Sequence, residues 1–261
     1  MLLSRFTTRL ASVTAIATAI AGVLLASPAE ARANPAITSH PRITAPPVTS
    51  AGWTSANWSG YALSKGPYTA ITGAWKVPSV SRKGSFTFSA TWIGIDGFLP
   101  GDNNLIQTGT ESDFYNNSTH YDAWFEVLPG AEQPVMSVRP GDAMMADIHR
   151  VSAGSWSMTI TDTTSSTSSN RTVSYNGPLS SAEWIVEAPT VNGAVATLAH
   201  FQSPLTIDPG TVNGGNPGLT LAARGVMIQH GSHVSTPSNP DSDTDGFNMA
   251  YGSKKPAPPT S

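Results

Sequence analysis

The chain has 261 residues, no cysteine, only 12% charged residues and a formal net charge of −3. The lack of cysteine excludes a disulfide scaffold, thiol nucleophiles and thiolate metal sites. So few charges, slightly acidic in balance, exclude the basic surface that nucleic acid requires.

In chain order, Arg5 and Arg9 precede an Ala-rich apolar run from Leu10 to Ala26. The small-residue patterns Ala29-Glu30-Ala31 and Ala31-Arg32-Ala33 follow. This layout predicts a secretory signal peptide over residues 1–33. No later apolar stretch is long enough to span a bilayer. The expectation is a secreted, extracellular, soluble chain that leaves the membrane once the signal is removed. Residues 34–52 are rich in Pro and Thr without periodicity and read as an extended leader or short pro-segment. Residues 53–252 carry the strand signals, and 253–261 read as a disordered tail.

Apolar residues alternate in 86-FTFSATWIGI-95, 121-YDAWFEVL-128, 143-AMMADIHRV-151, 155-SWSMTITDT-163, 171-RTVSY-175 and 182-AEWIVEA-188. Turn pairs such as Asp96-Gly97, Pro129-Gly130, Gly141-Asp142 and Asn192-Gly193 separate them. Many short strands with regular punctuation, and no helical period after residue 33, predict an all-β antiparallel sandwich or barrel. The Ser/Thr-rich stretch between Ser155 and Tyr175 reads as the tip of a hairpin.

Three runs hold polar groups inside apolar strands: Gln107 in 105-LIQTG-109, Asp122 and Glu126 in 121-YDAWFEVLP-129, and Glu183 and Glu187 in 183-EWIVEAP-189. Side chains alternate faces along a strand. Asp122, Trp124 and Glu126 therefore share one face, as do Glu183, Ile185 and Glu187. A wet sheet face produces acid–apolar alternation without any function. Trp124 between two acids is instead what a cleft that holds a polymer would present.

The series N57-W58-S59-G60, W75-K76-V77-P78, W92-I93-G94-I95-D96-G97, L105-I106-Q107-T108-G109, Y121-D122-A123-W124-F125-E126 and A182-E183-W184-I185-V186-E187 resembles the glutamic peptidases, or eqolisins, in order. The resemblance extends over most of residues 53–205. It implies a β-sandwich of two curved, seven-stranded antiparallel sheets, similar to the concanavalin-like jelly rolls. It implies a catalytic pair, Gln107 and Glu187, with Glu126 and Asp96 as supporting acids. Trp92, Trp124, Asp122 and Glu183 fall on the same cleft strands. It further implies polypeptide substrates, an acidic working pH, a monomer, and neither cofactor nor metal. Unlike fungal members, this chain has no disulfides. Its leader is also short, which argues against activation by removal of an inhibitory pro-segment.

Two rival readings use the same residues. In a glycoside hydrolase, Glu126 and Glu187 would need carboxyls about 5–5.5 Å apart. In a non-catalytic carbohydrate-binding sandwich, Trp92 and Trp124 would stack on sugar rings. Neither uses Gln107. The run Asp241-Ser-Asp-Thr-Asp-Gly246 resembles the start of a calcium loop. Gly252 at its twelfth position and the lack of flanking helices favour a plain surface loop. His149, His200, His230 and His233 lack zinc-protease spacing, and no Gly-x-Ser-x-Gly elbow occurs. Asn57, Asn116, Asn117 and Asn170 begin glycosylation triplets.

Overall fold

The computed structural model describes residues 35–38, 41–44 and 52–261. The expected signal peptide lies outside them, as does part of the leader. The strands are β1 (Ile37–Thr38), β2 (Trp53–Ser55), β3 (Trp58–Leu63), β4 (Ala70–Lys76), β5 (Ala90–Ile95) and β6 (Ile106–Tyr115). They continue with β7 (Ser118–Val127), β8 (Gln133–Ser137), β9 (Ala143–Ser152), β10 (Ser155–Asp162), β11 (Thr167–Ser174) and β12 (Ala182–Glu187). The last six are β13 (Thr190–Val191), β14 (Ala194–Val195), β15 (Leu205–Val212), β16 (Arg224–Gln229), β17 (Ser232–Pro237) and β18 (Phe247–Tyr251). One 3-10 turn, Leu221–Ala223, is the only helical element among the described residues, and none of them forms a helix long and apolar enough to cross a membrane.

The hydrogen-bonded order is β11-β10-β9-β4-β15-β18-β17-β16-β3-β12-β5-β6-β7-β8. It divides between β17 and β16 into two seven-stranded layers, the antiparallel sandwich expected from the alternation. One pair departs from it: β2 runs parallel to β16. The layers face each other across the main core. Ile71, Trp75, Ile148, Trp156 and Ile160 of the back layer pack with Ile93, Ile95, Ile106, Phe125 and Trp184 of the front layer. Indole N–H groups also cross the layers, from Trp75 to Thr110 Oγ1 at 2.9 Å and from Trp184 to the Thr72 carbonyl at 2.8 Å. A buried indole usually finds an acceptor for its N–H, and these two bonds help to fix the relative seating of the layers.

The hairpin expected between Ser155 and Tyr175 forms, but β11 begins at Thr167 and pairs fully with β10. Most of its Ser/Thr-rich stretch is thus an edge strand rather than a tip. Exposed hydroxyl residues suit a sheet edge, where one side of the strand faces water. Residues 253–261 form no strand, yet Asn248 Nδ2 donates to the Ala257 carbonyl at 2.9 Å.

Candidate active site

The front layer turns two faces in different directions. Its inner face carries Ile93, Ile95, Trp184 and Phe125 into the core. The other face carries the polar residues, and strand register sorts them into three rows. Glu183, Gly94, Gln107 and Glu126 form the first, read across β12, β5, β6 and β7. Ile185, Trp92, Gly109 and Trp124 form the second, and Glu187, Ala90, Glu111 and Asp122 the third. Gln107 and Glu187 therefore share a face, with β5 and the Trp92 ring between them. Gly109 is needed in the middle row: a Cβ there would lie 2.4 Å from Trp92 Cβ.

Both members of the pair are fully buried. Trp92 Nε1 donates to Glu187 Oε2 at 2.9 Å, and Asn57 Nδ2 donates to Oε1 at 3.5 Å. Trp92 is itself braced edge-on by Trp58, with ring centroids 4.9 Å apart. Gln107 Nε2 donates to Glu126 Oε2 at 2.6 Å. Among the described residues Gln107 Oε1 accepts no hydrogen bond, and the indole N–H groups of Trp58 and Trp124 have no acceptor. With its Oε2 as acceptor, Glu126 holds the amide nitrogen of Gln107 toward itself and turns the carbonyl oxygen away.

Asp96 sits at the end of β5 with φ +75° and does not touch the pair. Its Oδ2 accepts from Tyr175 Oη at 2.6 Å and from the Leu179 N–H at 3.0 Å. Its Oδ1 accepts from the Ser180 N–H at 2.6 Å. These bonds anchor the segment that leads into β12, so Asp96 reaches the site only through the position of that strand. Glu183 is buried beside Ser181; burial pushes its carboxyl well above the usual range, with the nearby Asp96 and Asp102 charges adding to the shift.

Along the same face, Glu111, Asp113, Asp122 and Glu132 form a second group of acids. Burial pushes the Glu111 carboxyl well up, and the charges of Asp113, Glu132 and Asp122 push it further. Burial likewise raises Asp113 and Glu132, and it lifts Asp122 to about 6. The leader closes the other end. The Ile43 N–H donates to Asn57 Oδ1 at 2.8 Å, and the Pro41 carbonyl accepts from Asn57 Nδ2 at 3.5 Å. Arg42 donates to the Phe98 carbonyl at 3.0 Å and lies over the Phe98 ring at 4.4 Å.

The family model of the Peptidase A4 family matches residues 56–248, most of the chain. The chain belongs to the Peptidase A4 family. The peptidase is 27% identical over 215 residues to aspergillopepsin-2 of Aspergillus niger, spanning 73% of this chain and 76% of that protein. The crystal structure of aspergilloglutamic peptidase from Aspergillus niger is 26% identical and covers 63% of this chain and 99% of its own, with a TM-score of 0.55. Scytalido-glutamic peptidase with a transition state analog inhibitor superposes with a TM-score of 0.62 at 23% identity, over 75% of this chain and 98% of its own. Like its relatives, the peptidase is a glutamic endopeptidase, a hydrolase of peptide bonds on a β-sandwich.

Three parts of the peptidase's site were not foreseen as such. Asn57 stands in the sequence as part of the Asn57-Trp-Ser-Gly60 motif and of a glycosylation triplet, with no role assigned, yet it is fully buried and links the leader to Glu187. The residue types Asn-Trp-Ser-Gly name no role by themselves. Glu111 and Asp113 carried a usable signal, since both share the parity of Gln107 along β6. Glu132 joins them from outside any strand, and nothing in its sequence context marks it.

Proposed function

We propose that Gln107 and Glu187 are the catalytic pair and that the chain is a secreted, monomeric peptidase acting on polypeptides at acidic pH. The observation that carries this reading is the difference in how the two side chains are held. The Glu187 carboxylate is bonded by an uncharged indole N–H from Trp92 at 2.9 Å. The Gln107 amide is fixed through its nitrogen by Glu126, and among the described residues no donor reaches its oxygen.

Peptide hydrolysis needs an activated water, a stabilised oxyanion and a proton for the leaving amine. Glu187 takes the proton from the water as general base while the oxygen attacks the carbonyl carbon. It then returns that proton to the departing nitrogen as general acid. Gln107 Oε1 accepts from the water and aims it. An amide nitrogen carries two hydrogens; one is bound by Glu126, and the other is available to the oxyanion. Such a preorganised donor is worth about 3–4 kcal/mol in the transition state. A base that must also serve as acid works near its own pKa, and an ordinary Glu titrates near about 4.3. This supports an acidic optimum.

The contacts of Pro41 and Ile43 with Asn57 support a further role for the leader as a cover beside Glu187. This revises the reading that its shortness implies no inhibitory role. A chain beginning at Trp53 is expected to cleave faster than one beginning at Asn34.

The deciding experiment follows hydrolysis of a denatured protein over roughly pH 2 to 8, the range in which carboxyls titrate. Glu187→Gln, Gln107→Ala and Glu183→Gln are run beside the unchanged chain, each checked for native circular dichroism. Acid-limited cleavage lost in the first two variants and kept in Glu183→Gln is the expected pattern. Loss with Glu183→Gln but not with Glu187→Gln would assign the base to Glu183, in the same cross-strand row as Gln107 with Gly94 between them, and would overturn this pairing.

A further inference from the structure

The run Asp241-Ser-Asp-Thr-Asp-Gly246 takes no part in peptide hydrolysis. It lies in the loop that enters β18, on the back layer. The loop curls on itself: the Asp241 N–H donates to the Gly246 carbonyl at 3.0 Å, and the Asp245 N–H donates to Asp241 Oδ1 at 3.1 Å. It is also tied to its surroundings, through the Gly210 N–H to the Asp245 carbonyl and the Leu219 N–H to the Thr244 carbonyl, both at 2.9 Å.

Sequence spacing favoured a plain loop because the twelfth position holds Gly252. The fold supplies an acid from elsewhere. Asp208, in β15, brings its carboxylate to those of Asp241 and Asp245, and one oxygen from each lies within 4.8 Å of the others. Asp241 is only 6% exposed, and its Oδ2 receives no hydrogen bond. That oxygen points into the cluster. A Cβ built at Gly246 would lie 2.5 Å from both Asp241 Oδ2 and Asp208 Cγ, and 2.6 Å from Asp208 Oδ1. Only glycine leaves the space in which these two carboxylates converge.

Three carboxylates drawn together with a buried, donor-free oxygen repel one another unless a positive charge or protons lie between them. Among the described residues, none of them forms an ion pair with Lys, Arg or His. Calcium binds carboxylate oxygens at about 2.3–2.6 Å. Three oxygens evenly spaced around such an ion lie at most about 4.5 Å apart, so carboxylate oxygens within 4.8 Å of one another can share it after a shift of a few tenths of an ångström at most. The smaller magnesium ion, at about 2.0–2.1 Å with strict octahedral demands, is a poorer match to three direct carboxylates.

We infer that Asp208, Asp241 and Asp245 form a calcium site that clamps the loop entering β18 to β15. The role is structural and independent of the peptidase chemistry. Asp243, next to Asp241 and Asp245, adds negative charge from the exposed side.

The test uses the full chain at pH 7.5, stripped with EDTA and titrated with calcium chloride in a calorimeter. Thermal unfolding is then recorded in EDTA and in calcium. One-site binding is expected, and calcium at about a hundredfold excess over Kd should raise the unfolding midpoint by about 5–10 °C. Asp241→Asn and Asp245→Asn should each weaken binding at least tenfold. If Asp241→Asn does not fold, the more exposed Asp245→Asn decides. An unchanged midpoint and no binding heat up to about 10 mM calcium, beyond the range of weak extracellular sites, would overturn the site and leave a proton-sharing cluster. Undiminished binding in the variants would place the ion elsewhere, and equal binding of magnesium would overturn the calcium assignment.

Discussion

One face of the front layer holds two groups of buried acids that live under different rules. At the proposed catalytic end, Trp92 and Asn57 donate N–H groups to Glu187, and Gln107 donates one to Glu126. Two registered positions along β6, the Glu111 carboxyl faces the acids Asp113, Glu132 and Asp122. Burial is nearly the same, since Glu126 and Glu111 are both 2% exposed. What differs is the set of atoms facing each carboxyl. N–H donors face Glu187 and Glu126, whereas other acids face Glu111 and add to the upward push of burial on its carboxyl.

The largest test of that contrast is to change one acid in each group to its amide. Glu187→Gln removes the proposed general base, and kcat should fall about 10²–10⁴-fold. Glu111→Gln should leave kcat within a few-fold of the unchanged chain, because no reacting group depends on its charge. Next in size, Glu126→Gln frees the Gln107 amide to turn over. It should lower kcat by less than Gln107→Ala, for which about 10²–10³-fold is expected from loss of an oxyanion donor. A Glu126 variant that falls further than Gln107→Ala would make Glu126 a reacting group and break the division of roles.

The smallest effect is on stability. For Glu111, Asp113, Asp122 and Glu132 the folded state holds its protons to higher pH than the unfolded state does. Between the ordinary and the raised pKa the folded chain binds more protons, so stability falls as pH rises. For Asp122 that window runs from its ordinary 3.8 to about 6. Thermal unfolding should give a higher midpoint at pH 4 than at pH 7. Glu111→Gln should recover about 2–4 °C of the difference, the shift that one kcal/mol gives in a domain of this size. A midpoint that instead rises toward neutral pH in the absence of calcium would show that these acids are ionised in the fold. The same residues would then suit a neutral-pH enzyme, against the acidic optimum proposed for the Gln107–Glu187 pair.

Much of the architecture was legible because strands report their faces locally. The alternation in 121-YDAWFEVL-128 put Ala123 and Phe125 on one side and Asp122, Trp124 and Glu126 on the other, and the fold sends the first pair to the core and leaves the others on the opposite face. The strand β6 was harder to read. Every residue from Ile106 to Tyr115 is buried, and small or polar residues such as Thr108, Gly109 and Ser112 lie among them. A strand covered on both faces shows no alternation. The final strands β15–β18 were missed for a similar reason, since Gly, Ser and Asn dilute their pattern.

By itself, the sequence determined the all-β class, the order of the motif strands, and which side of each strand Gln107, Glu126 and Glu187 occupy. These follow from a two-residue period that every strand carries within a few residues. Only the tertiary structure decided which acids meet. Strand register brought Glu126 to Gln107 and Glu111 to Asp122, the leader reached Asn57, and Asp208 arrived beside Asp241 from a distant strand. Each of these contacts joins residues of different strands or segments, from the two arms of one hairpin to strands well separated in the chain. The charge a buried carboxyl keeps depends on such neighbours, and no local pattern records them.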